Sequence, residues 1–277
     1  MAEERLRLMT DARDRELSVG RLQSRWTRVG TLSLHVKTGT DPAPAGRLPL
    51  VLVHGLLVSS RYMLAAAVRL APHYPVYALD LPGYGQSSKP PPTWPAFELP
   101  GLSTVLHAWM DAMGLERVGL IANSFGCQIV TDFVLRYPGR AACLVLAGPT
   151  VDPHRHSVVQ QTARLLLDAT REPARRYLRV IAADLWDIGV PRAVRLACVT
   201  LRDHIEARLP RVPVPTLVVR GGRDPLVPQD WAEEATALLP DGRLVVIPGY
   251  AHIVHFAAPD AFVAVVRPFL EATESAW

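Results

Sequence analysis

The chain has 277 residues and a formal net charge of +4; 49% of its residues are hydrophobic and 20% are charged. This balance allows a large core in one α/β domain with an insertion, and it excludes wholesale disorder. No apolar run reaches the roughly 18 residues of a membrane-spanning helix, and no run of cations and aromatic residues predicts nucleic-acid binding. The first residues mix acids and bases without an apolar stretch, so we expect no secretory signal and a cytoplasmic protein.

The three cysteines, Cys127, Cys143 and Cys198, are odd in number and lie in apolar stretches. A disulfide framework is typical of small secreted domains with more cysteines than this. We therefore expect all three to be buried free thiols.

The first predicted element is a β-hairpin. Leu32, Leu34 and Val36 alternate with polar residues, which predicts a half-buried antiparallel strand. Its expected partner is the run at 26–29, and Gly30 lies in the turn between them.

Six later apolar runs lack this alternation, which is typical of strands buried on both faces of a parallel sheet. They lie at 50–53, 76–79, 118–122, 143–147, 216–219 and 244–247. Segments with helical periodicity alternate with them, near 60–71, 102–113, 125–137, 229–239 and 259–272. This alternation predicts a mostly parallel, doubly wound α/β sheet of about eight strands.

One interval, from 151 to 211, contains no strand-like run. Val194, Cys198, Leu201 and Ile205 recur there at helical spacing, so we predict a helical insertion. The interval holds eleven arginines against seven acidic residues. We interpret this excess as a solvated face, and attraction of an anionic substrate is the alternative.

Three regions follow from this organisation of the chain. Residues 1–25 are interpreted as a charged arm, helical in character, that packs on the body or on a second subunit. Residues 26–149 and 213–277 are predicted to form the α/β core. Residues 150–212 are predicted to form the helical insertion.

The strongest signal for chemistry is Asn123-Ser124-Phe125-Gly126, where a buried run meets a helical segment. A sharp turn between strand and helix holds its middle residue in a strained backbone conformation. Small residues two positions away on each side let neighbouring backbone approach, and Ala122 and Gly126 occupy these positions. Ser124 would then lie at a helix N-terminus, where developing negative charge is stabilised.

A glycine turn, His54-Gly55, follows the first of the six buried runs. Such a turn at the carboxyl edge of a parallel sheet can direct a backbone N–H at the same space as Ser124. We expect the N–H groups of Leu56 and Phe125 to form an oxyanion hole, with His54 orienting the loop.

Asp224 and His252 follow two later predicted strands, on loops at the same edge of the sheet. A nucleophilic serine needs an adjacent base, and the base needs a carboxylate that fixes its tautomer. The chain order Ser124, Asp224, His252 is the one that accompanies a serine in a strand-to-helix turn. His255 is a rival for the base, and Asp152 is a rival for the carboxylate.

Five motifs carry a resemblance to the α/β-hydrolase superfamily over residues 26–277. They are His54-Gly55, Asp80-Leu-Pro-Gly83-Tyr-Gly85-Gln-Ser87, Asn123-Ser124-Phe125-Gly126, Gly221-Gly-Arg-Asp224-Pro-Leu-Val-Pro228 and Ala251-His252-Ile-Val-His255-Phe. Their order along the chain is specific for the fold and much less specific for the substrate.

The resemblance implies Ser124 as nucleophile, His252 as general base and Asp224 as the carboxylate that orients the base. It also implies that residues 150–212 form a cap over the active-site edge. A member of this superfamily needs no metal and no organic cofactor, so we expect none.

The chain departs from the usual family pattern beside the histidine. Relatives often have glycine directly before it and glutamate five residues after it, and these positions are Ala251 and Ala257 here. The exchange weakens the local support of the His252 loop more than it affects the base itself.

These assignments predict a cytoplasmic hydrolase that cleaves a small-molecule carboxylic ester through an acyl-enzyme, with a homodimer as one possible assembly. Relatives that open epoxides or displace halide carry aspartate in place of Ser124, which disfavours both activities. Asn123-Ser124 also resembles the turn of hydrolases that cleave carbon–carbon bonds in ring-cleavage products, although their glycine-rich loop is missing. This activity is the first alternative, and a non-catalytic ligand-binding protein is the second.

Overall fold

The computed structural model of the protein describes residues 22–40, 44–172 and 174–275, except the side chains of residues 174–176. Within these ranges, eight strands form one sheet in the order β1-β2-β4-β3-β5-β6-β7-β8. They are β1 (Leu22–Val29), β2 (Leu32–Gly39), β3 (Leu50–Val53), β4 (Val76–Leu79), β5 (Val118–Asn123), β6 (Ala141–Ala147), β7 (Thr216–Gly221) and β8 (Gly242–Ile247). Strand β2 is antiparallel to β1 and β4, and all other neighbours are parallel. The predicted mostly parallel sheet is confirmed.

Helices cover both faces of this sheet. In the described ranges they are α1 (Leu64–Leu70), α2 (Leu99–Ala112), α3 (Phe125–Arg136), α4 (Val158–Ala169), α5 (Ala174–Ile188), α6 (Val190–Arg202), α7 (Gln229–Leu238), α8 (Val254–Ala257) and α9 (Pro259–Glu274). Alternate residues of a strand point to opposite faces. Val51 and Val53 of β3 join a core with α2, α3 and α7. Leu50 and Leu52 join a second core with α1 and α9, so the sheet is doubly wound.

Strand β2 is buried on both faces, so the prediction of a half-buried strand was wrong. Leu34 and Val36 lie in the core as the alternation indicated, but His35 and Lys37 on the opposite face are buried as well. His35 tolerates burial because its Nδ1 lies 2.7 Å from Asp80 Oδ2. A polar side chain can occupy a buried face when its hydrogen bonds are satisfied there.

Several element boundaries differ from the expected ones, and two of the differences change where residues are assigned. The hairpin begins at Leu22, so residues 22–25 belong to β1 rather than to the charged arm. The rest of the arm, residues 1–21, lies outside the described ranges. Helix α6 ends at Arg202, and Ile205 therefore lies in a separate short 3-10 turn.

The prediction that all three cysteines are buried was wrong for Cys198. Cys127 and Cys143 are buried and free, but Cys198 is exposed. Val194, one turn earlier on α6, is exposed too, because this face of the helix points outward. The spacing of apolar residues therefore predicted the helix correctly, but it did not predict which side of the helix faces the core.

The helical insertion between β6 and β7 contains α4, α5 and α6, and buried polar contacts fix it to the core. Asp184 of α5 accepts from the Ser59 N–H at 2.7 Å and from Ser59 Oγ at 2.8 Å, and it also pairs with Arg61. Gln128 of α3 donates to the Thr150 carbonyl at 3.0 Å. The insertion is thus bonded to the loop after β3, at the carboxyl edge of the sheet. No helix in the described ranges is long and apolar enough to cross a bilayer.

Helix α3 approaches the end of β3 closely at Gly126. A Cβ atom at this position would lie 2.6 Å from the Val53 carbonyl oxygen and 2.7 Å from that of His54. Backbone atoms fill the space that a side chain would need, so the approach requires glycine. The contact fixes the first turn of α3 against the loop after β3.

We expect Gly126→Ala to lower the free energy of unfolding by about 1–3 kcal/mol, because the added methyl group overpacks a contact between backbone atoms. Urea unfolding followed by circular dichroism would measure the loss. An unchanged unfolding midpoint would show that α3 and β3 are further apart in solution than the structure has them.

Candidate active site

Ser124 lies in the turn between β5, which ends at Asn123, and α3, which begins at Phe125. Its backbone has φ +54° and ψ −120°, a costly conformation for a residue with a side chain. The Ser124 N–H donates to the Ala147 carbonyl at 3.0 Å, which ties the turn to β6. The structure therefore contains strand, serine and helix in the arrangement that the sequence indicated.

Asp224 and His252, on the loops after β7 and β8, form a buried pair. His252 Nδ1 lies 2.8 Å from Asp224 Oδ2. The other carboxylate oxygen of Asp224 accepts from the N–H groups of Leu226 and Val227. Gly148 leaves room for the pair, because a Cβ atom there would lie 2.8 Å from the His252 ring. The carboxylate is therefore oriented with one oxygen toward the imidazole.

The environment of His252 favours its protonated form. Burial lowers its pKa, but the charge and hydrogen bond of Asp224 and the charges of Asp168 and Glu172 raise it, and the result is a pKa of about 9. Nε2, on the other side of the ring, is buried and has no hydrogen-bond partner among the described residues.

A cavity of about 200 Å³ opens at this edge of the sheet, and Ser124, His252 and Leu56 all line it. Its wall is mostly apolar and includes residues from the loop after β3, α4 and α6. Ser124 Oγ lies 3.4 Å from Thr150 Oγ1 in this cavity. The serine hydroxyl and the imidazole thus share one space, with Asp224 on the far side of the ring. In the part of the chain that the structure describes, no cluster of three metal-ligating side chains is present.

Tyr62 and Asn123 connect the loops around the cavity. The Gly55 N–H donates to the Tyr62 hydroxyl at 2.7 Å, and that hydroxyl donates to Asn123 Oδ1 at 2.6 Å. Asn123 Nδ2 donates to the carbonyls of Ala147 at 2.9 Å and His252 at 3.4 Å. Two side chains therefore connect the ends of β5 and β6 to the loops that follow β3 and β8.

Two carboxylates near the end of α4 contact the His252 loop, and no sequence pattern indicated either of them. The His252 N–H donates to Asp168 Oδ1 at 3.2 Å, and the Ile253 N–H donates to Glu172 Oε1 at 2.9 Å. Burial raises the pKa of Asp168 to about 6 and that of Glu172 to about 7. These two hydrogen bonds hold the His252 loop in place, which the methyl side chain of Ala257 cannot do.

His255 does not line the cavity, and Asp152 pairs with arginines of the insertion rather than with His252. Asp152 is buried and pairs with Arg155 at 2.8 Å. The His255 ring packs edge-on against Tyr62 with 4.6 Å between ring centroids, and burial lowers the pKa of His255 to about 3. His54 is bonded to backbone groups at both ring nitrogens, which suits the expected role in orienting its loop.

Comparisons with known proteins agree with this architecture. A sequence model of the alpha/beta hydrolase family matches residues 50–265. The chain is 24% identical to Esterase YbfF of Escherichia coli over 256 residues, which is 86% of this chain and 99% of that protein. It is 27% identical to a 2-hydroxy-6-oxononadienedioate/2-hydroxy-6-oxononatrienedioate hydrolase of Cupriavidus pinatubonensis, over 73% of this chain and 78% of that protein. A match to a protein of Caenorhabditis elegans spans 44% of this chain and only 28% of that protein.

A solved structure of a thermophilic esterase from Thermogutta terrifontis matches with a TM-score of 0.72 at 21% identity, over 91% of this chain and 99% of that one. At this identity the likeness shows the fold alone. The segment matched by the family model contains Ser124, Asp224 and His252 together with the cavity. The chain therefore belongs to the α/β hydrolase family, a family of hydrolytic enzymes.

Proposed function

We propose that the protein is a serine hydrolase of a carboxylic ester, with Ser124 as nucleophile, His252 as general base and Asp224 as the carboxylate that orients the base. The observation that carries the proposal is the buried pair of Asp224 and His252 at 2.8 Å, whose imidazole shares a cavity with Ser124. Acyl transfer requires such a base, held in one tautomer beside a serine in a strained turn.

The reaction has two halves in this proposal. His252 Nε2 takes the proton of Ser124 Oγ as that oxygen attacks the ester carbonyl, and the imidazolium then gives the proton to the leaving alcohol. Water next attacks the acyl group on Ser124 while His252 takes a proton from the water. The imidazolium returns this proton to Ser124 Oγ as the acid leaves. Asp224 stabilises the imidazolium in both halves.

Two backbone N–H groups, those of Leu56 and Phe125, are proposed to bind the oxyanion. The Gly55 N–H is already bonded to the Tyr62 hydroxyl at 2.7 Å, so Leu56 provides the next amide of the loop. Phe125 is the first residue of α3, and the helix dipole adds to the stabilisation of negative charge there.

The cavity wall favours an uncharged ester over a dicarboxylate. None of the described side chains that line the cavity belongs to lysine or arginine. A dioate, the substrate in the name of the Cupriavidus relative, carries charges that need cationic partners when they are buried. We therefore rank cleavage of a carbon–carbon bond second. Residues 150–212 act as the cap in this proposal, because α4 and α6 contribute to the wall.

Ser124→Ala should lower kcat/KM for p-nitrophenyl esters on the order of 10⁴-fold or more, because it removes the nucleophile. Initial rates on esters of increasing chain length and on a ring-cleavage product would measure the effect. Labelling of the native protein by a fluorophosphonate should be lost in the same variant.

Ser103→Ala is the control, since Ser103 is a buried serine of α2 that does not line the cavity. It should retain activity and labelling. Full esterase activity in Ser124→Ala would refute the assignment. A ring-cleavage product that is hydrolysed faster than every ester would favour carbon–carbon cleavage instead.

Asp168→Asn/Glu172→Gln should move the acidic limb of the kcat/KM profile to lower pH. Both carboxylates raise the pKa of His252, and the amides keep an oxygen that can accept from the loop N–H groups. Protonated imidazole cannot take the serine proton, so activity rises with pH through this pKa, at about pH 9 in the parent protein. A pH profile with an uncharged ester would measure the shift.

Asp184→Asn is the control for this double variant. Asp184 is also a buried carboxylate of the insertion, but it bonds to Ser59 rather than to the His252 loop. Its replacement should leave the acidic limb in place. A limb that shifts equally in both variants, or in neither, would contradict the role of Asp168 and Glu172 as positioning residues.

A further inference from the structure

The exposed apolar side chains of this protein are concentrated on the helical insertion. Of the twelve large apolar side chains that are exposed in the described ranges, ten lie on α4, α5 and α6. We call six of them the apolar face, which comprises Val159, Leu166, Leu185, Trp186, Val190 and Val194. Trp186 is 83% exposed and Val159 is 79% exposed. Such concentration on one segment marks an interaction surface rather than scattered surface residues.

The exposed apolar residues of α5 and α6 lie along one side of each helix. Leu178, Ala182 and Leu185 recur at helical spacing on the outer side of α5, and Val190 and Val194 do so on α6. Both helices also bury apolar residues against the core. A helix that is apolar on two sides needs an apolar environment on each, so the outer side needs a partner.

The charges of the insertion are divided between its inner and outer sides. All seven acidic residues between 151 and 211 are buried or half-buried. In contrast, Arg179 of α5 and Arg202 of α6 are exposed. The outer surface is therefore apolar and cationic, which complements a lipid layer with anionic headgroups.

The apolar surface continues into the cavity that contains Ser124. Val158 and Leu165, two turns apart on α4, line the cavity and are nevertheless 64% and 43% exposed. They therefore lie at its mouth. A lipid layer bound to the apolar face would lie beside this mouth and would present substrate to it.

We propose that the apolar face docks on an anionic lipid surface and that the enzyme takes its ester from that layer. The proposal that the protein docks on lipid is argued from the exposed residues alone. The proposal that the enzyme takes its ester from the lipid layer rests on the proposed function. Helices with an apolar outer side and exposed arginines lie in the interface between headgroups and acyl chains when they bind a lipid layer. The indole of Trp186 suits this depth, because one end of the ring is apolar and the other is polar.

The test is co-sedimentation of the full-length chain carrying Ser124→Ala with phosphatidylcholine vesicles, with and without phosphatidylglycerol. We expect binding to the mixed vesicles that weakens with salt, and much weaker binding to pure phosphatidylcholine. Adding Leu166→Glu/Trp186→Glu should reduce the partition coefficient about tenfold or more. Because the nucleophile is absent, the result does not depend on the catalytic assignment.

Trp26→Glu is the control, since Trp26 is 54% exposed on β1 of the core and the exchange places a carboxylate on an exposed apolar site outside the insertion. It should bind mixed vesicles like the parent. With the nucleophile restored, activity on p-nitrophenyl laurate in vesicles can be divided by activity on soluble p-nitrophenyl butyrate. This ratio should fall about tenfold in Leu166→Glu/Trp186→Glu and stay unchanged in Trp26→Glu.

Three results would overturn the docking proposal. The first is failure of the parent chain to bind mixed vesicles. The second is an equal loss of binding in Trp26→Glu, which would show a general charge effect. The third is a dimer in analytical ultracentrifugation that Leu166→Glu/Trp186→Glu converts to monomer, because the apolar face would then belong to a second copy. If the protein binds vesicles but the activity ratio is unchanged in Leu166→Glu/Trp186→Glu, the docking proposal stands. Only the proposal that the ester comes from the lipid layer is then overturned.

Discussion

The close approach of α3 to the end of β3 is the constraint on which the site depends. Because Gly126 has no side chain, the helix N-terminus lies against the carbonyl groups of Val53 and His54. The same approach brings Ser124 to the glycine turn, where a Cβ atom on Gly55 would lie 3.1 Å from the Ser124 Cβ. Serine, loop amides and helix dipole are therefore placed by a single backbone contact. A shift of the helix would separate all three, and catalysis depends steeply on such distances.

Much of this arrangement could be predicted because it follows from local pattern and from topology. Continuous aliphatic runs identify buried strands, and a parallel sheet brings the residues that follow its strands to one edge. Ser124, Asp224 and His252 each follow such a strand, so their proximity could be expected although they are far apart in the chain. The family match agrees with that expectation for the fold.

Other contacts depend on tertiary packing that no pattern in the sequence encodes. Asp168 and Glu172 reach the His252 loop because α4 ends beside it, and helical periodicity does not say which loop a helix end will touch. His35 is buried because Asp80 comes from the loop after a neighbouring strand. Periodicity also gives the spacing of a stripe but not its direction, which is why the outward position of Val194 was not foreseen.

The bonds between α4 and the His252 loop limit how the cavity can open. If the end of α4 moved away, the buried N–H groups of His252 and Ile253 would lose their acceptors, which is costly for buried donors. Entry of a substrate must therefore leave this end of the helix in place. The opposite end, where Val158 stands at the cavity mouth, is free of that restriction. Helix α4 is thus anchored beside the imidazole at its last turn, and a substrate that enters past its first turn leaves the base undisturbed.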